Sequence, residues 1–458
     1  MPDAAFQGAR ELNSKKRMAR PQFWPIDETM HMKLKKSSQL ALVSVASLCI
    51  ALLVTACQQI TQTLTVDFMY VASSKAFGPN QYGLVDVFEI NSESGRLRQI
   101  PTSPFPSGGR DPVAEAVSSN YDSLFVVNED DNNIVQFVIG IDGKLYSYDT
   151  VNTPGIFPLA LAVSKSDMFV ADLYQPLPIC SDADPCSGSI AVYPLTAGTS
   201  STPTAIGPPA TNTAISANYW PLTLAGKSAS DIIVPTGVNV LDSGAYVYVT
   251  GYDSSVTPSV GYIFGFSVGP GGVLTPLSGS PYRAGTQPSA IASDATSSYV
   301  YATDYATGQV LGYTVNSGNL VPMTTGTNGT NEFPAGNQPS AIVVDPSFPF
   351  VYVANSLDAT VTAFTVKSGS LIRTGAYTTG SEPVAIGIDP STNHFLYTAN
   401  FLGNNVSGFQ LSQTDGSLLV SQFSPSGADA NPTAVAAIPH NGTGAGVSGP
   451  GITGSGTP

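Results

Sequence analysis

The stretch Gln338–Leu371 reads QPSAIVVDPSFPFVYVANSLDATVTAFTVKSGSL. Its apolar runs, Ala341–Val344, Phe350–Ala354 and Val361–Val366, are short, β-branched and aromatic, and a fourth begins at Leu371. Pro, Asp, Asn, Ser and Gly separate them, which is the pattern of consecutive antiparallel strands. One such four-stranded unit has two exposed edges and cannot bury both faces alone, so it needs neighbours of its own kind.

The neighbours are in the chain. The second strand recurs from Phe68, Leu124, Met168, Tyr246, Tyr299, Phe350 and Phe395. The third recurs with one aromatic each, Phe88, Phe137, Tyr193, Phe266, Tyr313, Phe364 and Phe409. The first opens on Pro112, Pro158, Pro235, Pro288, Pro339, Pro383 and Pro432. Three independent markers repeating seven times, at a period of about fifty residues, predict an all-β fold. That fold is a seven-bladed β-propeller of four-stranded antiparallel blades.

The phase of the repeat predicts how the ring closes. The first copy starts at a second strand near Phe68, and the last proline-led strand, from Pro432, has no second strand after it. The C-terminal strand is therefore expected to complete the first blade and remove its open edge. Two residues after each proline stands Ala114, Ala160, Gly237, Ala290, Ala341, Ala385 or Ala434. Three after it stands Leu161, Val238, Ile291, Ile342, Ile386 or Val435, with Glu115 the exception. Small and branched residues on opposite faces suit strands crowded around an axis. A charge placed among them needs a partner, and Arg110 is the nearest candidate in sequence.

Outside the repeat, residues 1–31 read as an extension from a start codon placed too far upstream. Residues 32–57 hold Met32-Lys33-Leu34-Lys35-Lys36, an apolar run Leu40–Val54, and Val54-Thr55-Ala56-Cys57. A basic start, an apolar core too short for a membrane span and small residues before a cysteine make an export signal. The motif resembles a bacterial lipoprotein box, which implies lipidation at Cys57; an uncleaved anchor is the other reading. Residues 58–66 then form a tether, 67–439 the propeller and 440–458 a Gly-rich disordered tail. The expected location is the cell envelope, held to the membrane by the lipid.

Of 18 basic residues 8 precede Cys57, as do 4 of the 32 acidic ones, leaving 10 against 28, or −18, in the exported part. Such a surface repels nucleic acid. Cys180 and Cys186 bracket a short loop and are expected to form a disulfide, with a metal site on Asp182 and Asp184 as the less favoured alternative. No zinc spacing, phosphate loop or dinucleotide fingerprint occurs, so no cofactor is expected.

The long connections, Ser74–Gly83, Leu173–Gly188, Thr196–Asp231 and Tyr252–Gly261, all belong to one face of the ring. That face also receives the residues before the prolines, Asp111, Gln287, Gln338, Glu382 and Asn431, and second-strand ends such as Asp172 and Asp304. A ring of acids and amides at a channel mouth can hold a small polar ligand, a glycan or an envelope protein by hydrogen bonds. The same residue types also make turns after strands. A monomer is expected.

Gln287-Pro288-Ser289-Ala290-Ile291 followed by Tyr299-Val300-Tyr301-Ala302 resembles the blade signature of the lactonase-type propellers, the group with a propeller form of 6-phosphogluconolactonase. By that resemblance Glu129 and Asp172 match acidic motif positions. The family's histidines do not carry over: Arg110-Asp111-Pro112-Val113 and Phe157-Pro158-Leu159 stand there instead. A hydrolase would then need Glu129 or Glu115 as base and Arg110 as electrophilic helper. The leading expectation is a non-catalytic binding or scaffold propeller, with a lactonase-like hydrolase as the alternative.

Overall fold

The computed structural model describes residues 65–181, 183–199, 201–224 and 232–439. Cys57, the export signal, the tail from His440 and Asp182 lie outside the described residues. The structure is all-β, with seven antiparallel sheets around one axis. In blade 1 the order from the axis outward is Pro432–Pro439, Thr65–Phe77, Tyr82–Asn91 and Leu97–Gln99. The C-terminal strand is thus the inner strand of the first blade, as the phase of the repeat requires. The other inner strands are Pro112–Val117, Ile156–Val163, Ile233–Val240, Pro288–Ser293, Pro339–Val344 and Pro383–Ile388, each touching the next until the ring is closed.

The repeated aromatics lock blade to blade. In five blades a second-strand tyrosine donates to the carbonyl of a turn glycine in the next blade: Tyr70 to Gly143, Tyr248 to Gly318, Tyr301 to Gly369, Tyr352 to Gly416 and Tyr397 to Gly95. Those glycines have φ between 65° and 82°, and each lies flat on the ring two residues before the tyrosine. At Gly369 a Cβ would stand 2.4 Å from Tyr299, so only glycine satisfies both the turn and the contact. Blades 2 and 3 carry Phe125 and Phe169 at the tyrosine position and lack the hydroxyl.

Every inner strand breaks register just after its proline, where one residue bulges out of the pairing with the second strand. A bulge re-aims a side chain. Here it turns hydroxyls toward the neighbouring blade: Thr236 reaches the Pro288 carbonyl at 2.6 Å, Ser289 reaches Pro339 at 2.5 Å, Ser340 reaches Pro383 at 2.6 Å and Thr433 reaches Pro112 at 2.7 Å. Val113, Leu159 and Val384 fill the bulge in the other three blades, so the belt has four links.

Candidate functional site

The two channel-facing features are an axial cavity and the mouth above it. The axial cavity, of about 250 Å³, is lined by the small and branched residues of the inner strands, with Glu115, Ser340 and Thr433 as its polar members. The mouth is ringed by the residues before the prolines. Asp111, Phe157, Gln338, Glu382 and Asn431 all have φ between 51° and 61°, a left-handed backbone that costs non-glycine residues energy.

The second-strand ends lie beneath this ring and are buried. Asp304 accepts the N–H groups of Thr286 and Gln287 at 2.9 Å each and the Thr307 hydroxyl at 2.8 Å. Asn355 and Asn400 instead donate through Nδ2 to their own third strands, to Thr360 and Thr362 and to Asn405 and Ser407. Asp172 holds this place in blade 3, but neither of its oxygens has a hydrogen bond of good geometry. Burial pushes its carboxyl up to about 8, against the partial pull of Thr153 and the Gly155 N–H. These groups underlie the mouth and hold its loops. In five blades a glycine lies on top of them, for example Gly336 on Asn355, where a Cβ would stand 2.6 Å from the side chain. Blade 4 has a glycine, Gly251, at the strand end itself, against the backbone of Val234 and Pro235, and in blade 1 the Ser73 hydroxyl meets the Asp429 carbonyl. Asp429 accordingly brings a second carboxylate to Asp86, whose own carboxyl rises to about 7, chiefly through burial.

Glu115 does not pair with Arg110. Its carboxyl oxygens are buried between blades 1 and 2, in the place that Leu161 or Ile342 fills at other junctions, although its backbone borders the channel. They lack a well-formed hydrogen bond, and burial pushes the group up to about 8; the Ala436 and Ala72 N–H groups and nearby Asp86 adjust that value in opposite directions. A group with that value is mostly protonated at neutral pH, which is how an acid survives in an apolar junction. Arg110 is instead held on the surface, donating to Asp131 at 2.7 Å and to the Asp130 carbonyl at 3.1 Å. Asp131 is one residue of the turn after the second strand, so both ends of this pair belong to blade 2. Glu129 is half-buried, and its N–H donates to the Asp111 carbonyl at 2.9 Å. Asp111 is itself half-buried; desolvation raises its pKa, Asp130 adds to the rise and a Ser74 hydrogen bond opposes it.

Gln287 and Asn431 are tied into the mouth through their backbone, the Asn431 N–H reaching Asn404 Oδ1 at 2.9 Å. Gln338 and Glu382, predicted as separate members of the ring, come together in one cleft of about 330 Å³ between blades 6 and 7. Its other walls, Ser356, Leu357, Ala359, Ser381 and Leu402, were not singled out by the sequence reading. The available signal was positional: Leu357 and Leu402 each follow a second-strand Asn by two residues.

Of the long connections, Ser74–Gly83 is mostly an extension of the two strands it joins, which run to Phe77 and from Tyr82. Trp220 pairs with Ile190 and is buried between blades 3 and 4, so that connection supplies core rather than an open loop. Cys180 and Cys186 are joined as a disulfide, their Cα atoms 5.4 Å apart.

These features define a seven-bladed propeller with a decorated mouth. Residues 263–431, from the third strand of blade 4 to the mouth of blade 1, match the family model described as Lactonase, 7-bladed beta-propeller. No curated protein matches the sequence. Among solved structures, a candidate 6-phosphogluconolactonase from Bacteroides fragilis is 18% identical, with a TM-score of 0.63, over 82% of this chain and 99% of that one. One from Bacteroides uniformis gives 17% identity and 0.64, over 82% and 100%. A periplasmic gluconolactonase from Pseudomonas aeruginosa gives 17% and 0.61, over 81% and 99%. The resemblance to lactonase-type propellers therefore holds at the level of the fold.

Proposed function

We propose that the chain is a lipid-anchored envelope protein whose propeller binds a ligand or a partner protein through the mouth face. The observation that carries this reading is the dispersal of the groups a hydrolase would use. Arg110 is held at the surface by Asp131, Glu115 is sealed between blades 1 and 2, and Glu129 sits at the loop above Asp111. Ring opening of a lactone needs a base for water and a donor for the oxyanion converging on one carbonyl. In this chain the polar groups are spread around an open mouth. The tether assignment fits the same picture. Asp67 pairs with Pro439, so both described ends of the propeller leave at the face opposite the mouth.

The second reading is a lactone hydrolase, supported by the family match and by the similarity to a protein named as a gluconolactonase. On that reading Glu129, the motif match beside Asp111, is the base. A thermal-shift screen of the exported chain against lactones, sugars, peptides and calcium, run beside a lactone hydrolysis assay, separates the two. A ligand that binds only the folded state raises its melting temperature. Stabilisation without turnover supports the binding reading. Turnover that is lost in Glu129→Gln, with the fold intact, overturns it.

A further inference from the structure

The junction between blades 6 and 7 carries Ala359 in a turn where blade 5 carries Gly308 and two other blades carry an asparagine. In the turn after the second strand, blade 2 carries Asn132 and blade 7 carries Asn404. Each of these crosses to the start of the next inner strand: Asn132 Oδ1 accepts the Phe157 N–H at 2.6 Å, and Asn404 Oδ1 accepts the Asn431 N–H at 2.9 Å. The side chain thereby fills the gap between blades. Blade 6 has Ala359 in that position, with the same left-handed backbone, φ 50° against 51° and 49°. Asparagine tolerates that conformation and alanine does so poorly. Alanine offers no side-chain acceptor across the junction, and it lines the cleft there.

The walls of the cleft point to an occupant. Leu357 and Leu402 flank it and are 65% and 63% exposed. The Gln338 and Glu382 side chains reach it from the mouth, and neither makes a hydrogen bond or ion pair among the described residues. Ser356 is turned back to the Gln338 carbonyl at 3.0 Å. Two apolar side walls, an unneutralised carboxylate and acceptor oxygens fit a positively charged head on an aliphatic stem. A net charge near −18 over the exported part adds long-range attraction for the same sign.

We infer that the cleft between blades 6 and 7 binds an alkylammonium group, its methylenes between Leu357 and Leu402 and its charge on Glu382. The group has two sources, a free diamine or a lysine side chain of a peptide. This inference rests on the binding reading above and names the ligand class for one part of the mouth.

The test is titration of the exported chain, followed by NMR or calorimetry at low salt, with 1,5-diaminopentane, with Nα-acetyl-lysine amide and with the Nε-acetylated form of the latter. The expected result is saturable binding of the amines, none of the neutral acetylated form, and loss with rising salt. Glu382→Gln should weaken it about fivefold, the worth of a well-placed exposed ion pair. Ala359→Asn, which installs the side chain that blades 2 and 7 carry, should block the cleft and abolish binding with the melting temperature retained. Tighter binding of the lysine derivative assigns a peptide source, and tighter binding of the diamine a free one. Amine binding unchanged by both substitutions, or absent at about 10 mM, overturns the inference. In that event a ligand from the thermal-shift screen that still stabilises the protein leaves the binding reading standing, whereas silence in both experiments removes it too.

Discussion

Thr433 Oγ1 donates to the Pro112 carbonyl at 2.7 Å across 321 residues of sequence. It ties the last described strand to the first strand of blade 2, and so adds a side-chain link to the backbone pairing that closes the ring. Thr433→Val should lose about 1 kcal/mol in urea denaturation, the net worth of one hydrogen bond. Ending the chain before Pro432 should be far worse, because it strips blade 1 of its inner strand and exposes an edge. Ending it at residue 440 should leave the melting temperature unchanged. Equal melting temperatures for all three forms would refute closure by the C-terminal strand.

The tyrosine–glycine locks make a graded prediction. Tyr301→Phe removes one hydroxyl from the Gly369 carbonyl and should cost about 1 kcal/mol. Gly369→Ala should cost more, about 2–4 kcal/mol, because it combines a left-handed backbone with a contact against Tyr299 that the packed blade cannot relieve. Guanidinium unfolding curves of the two variants give the comparison; an alanine as mild as the phenylalanine would mean that the turn is not held against the next blade.

Glu115 predicts a pH dependence with a definite sign. Its folded value, about 8, lies above its ordinary 4.5, so the folded state binds the proton more tightly than the unfolded state does. Its contribution is fully favourable below about pH 4.5 and is lost as pH rises to about 8. The whole span corresponds to a few kcal/mol. Glu115→Gln cannot ionise and should flatten that part of the profile, becoming the more stable protein at pH 9. Asp172 titrates in the same direction in both proteins and cancels, so the difference between the two profiles reports Glu115 together with its repulsion from Asp86. Parallel profiles from pH 4 to 9 would show that the carboxyl is not buried at the blade junction.

Arg110→Ala should change stability by less than about 1 kcal/mol, and the small effect should fade in high salt, because its pairing with Asp131 is partly exposed. A loss of ligand binding or turnover in this variant at unchanged stability would return Arg110 to a functional role.

Cys57→Ser should release the protein from the membrane fraction or leave it as an uncleaved precursor, measured by detergent partitioning. A variant that partitions and is processed like the parent would dismiss the lipid anchor.

The strands, the seven blades and the closing strand were legible in the sequence because they depend on local preferences repeated many times. A β-branched run between turn formers means the same thing in each copy, and seven copies outvote any single irregularity. Glu115 was legible as an exception for the same reason. What the repeat could not reveal is the partner of each exception. Arg110, five residues away in sequence, is drawn instead to Asp131 in the loop beside it, while Glu115 turns into the junction with blade 1. Likewise Asp172 and Asp304 look like ligand groups in a linear reading, yet the folded loops lie over them. The cleft between blades 6 and 7 depends on an alanine from one blade, a glutamate from the next and two leucines that meet only across the gap. Pattern within one strand is decided by backbone chemistry, which neighbours in sequence supply. Pairing between blades is decided by which surfaces the closed ring presses together, and only the tertiary structure contains that.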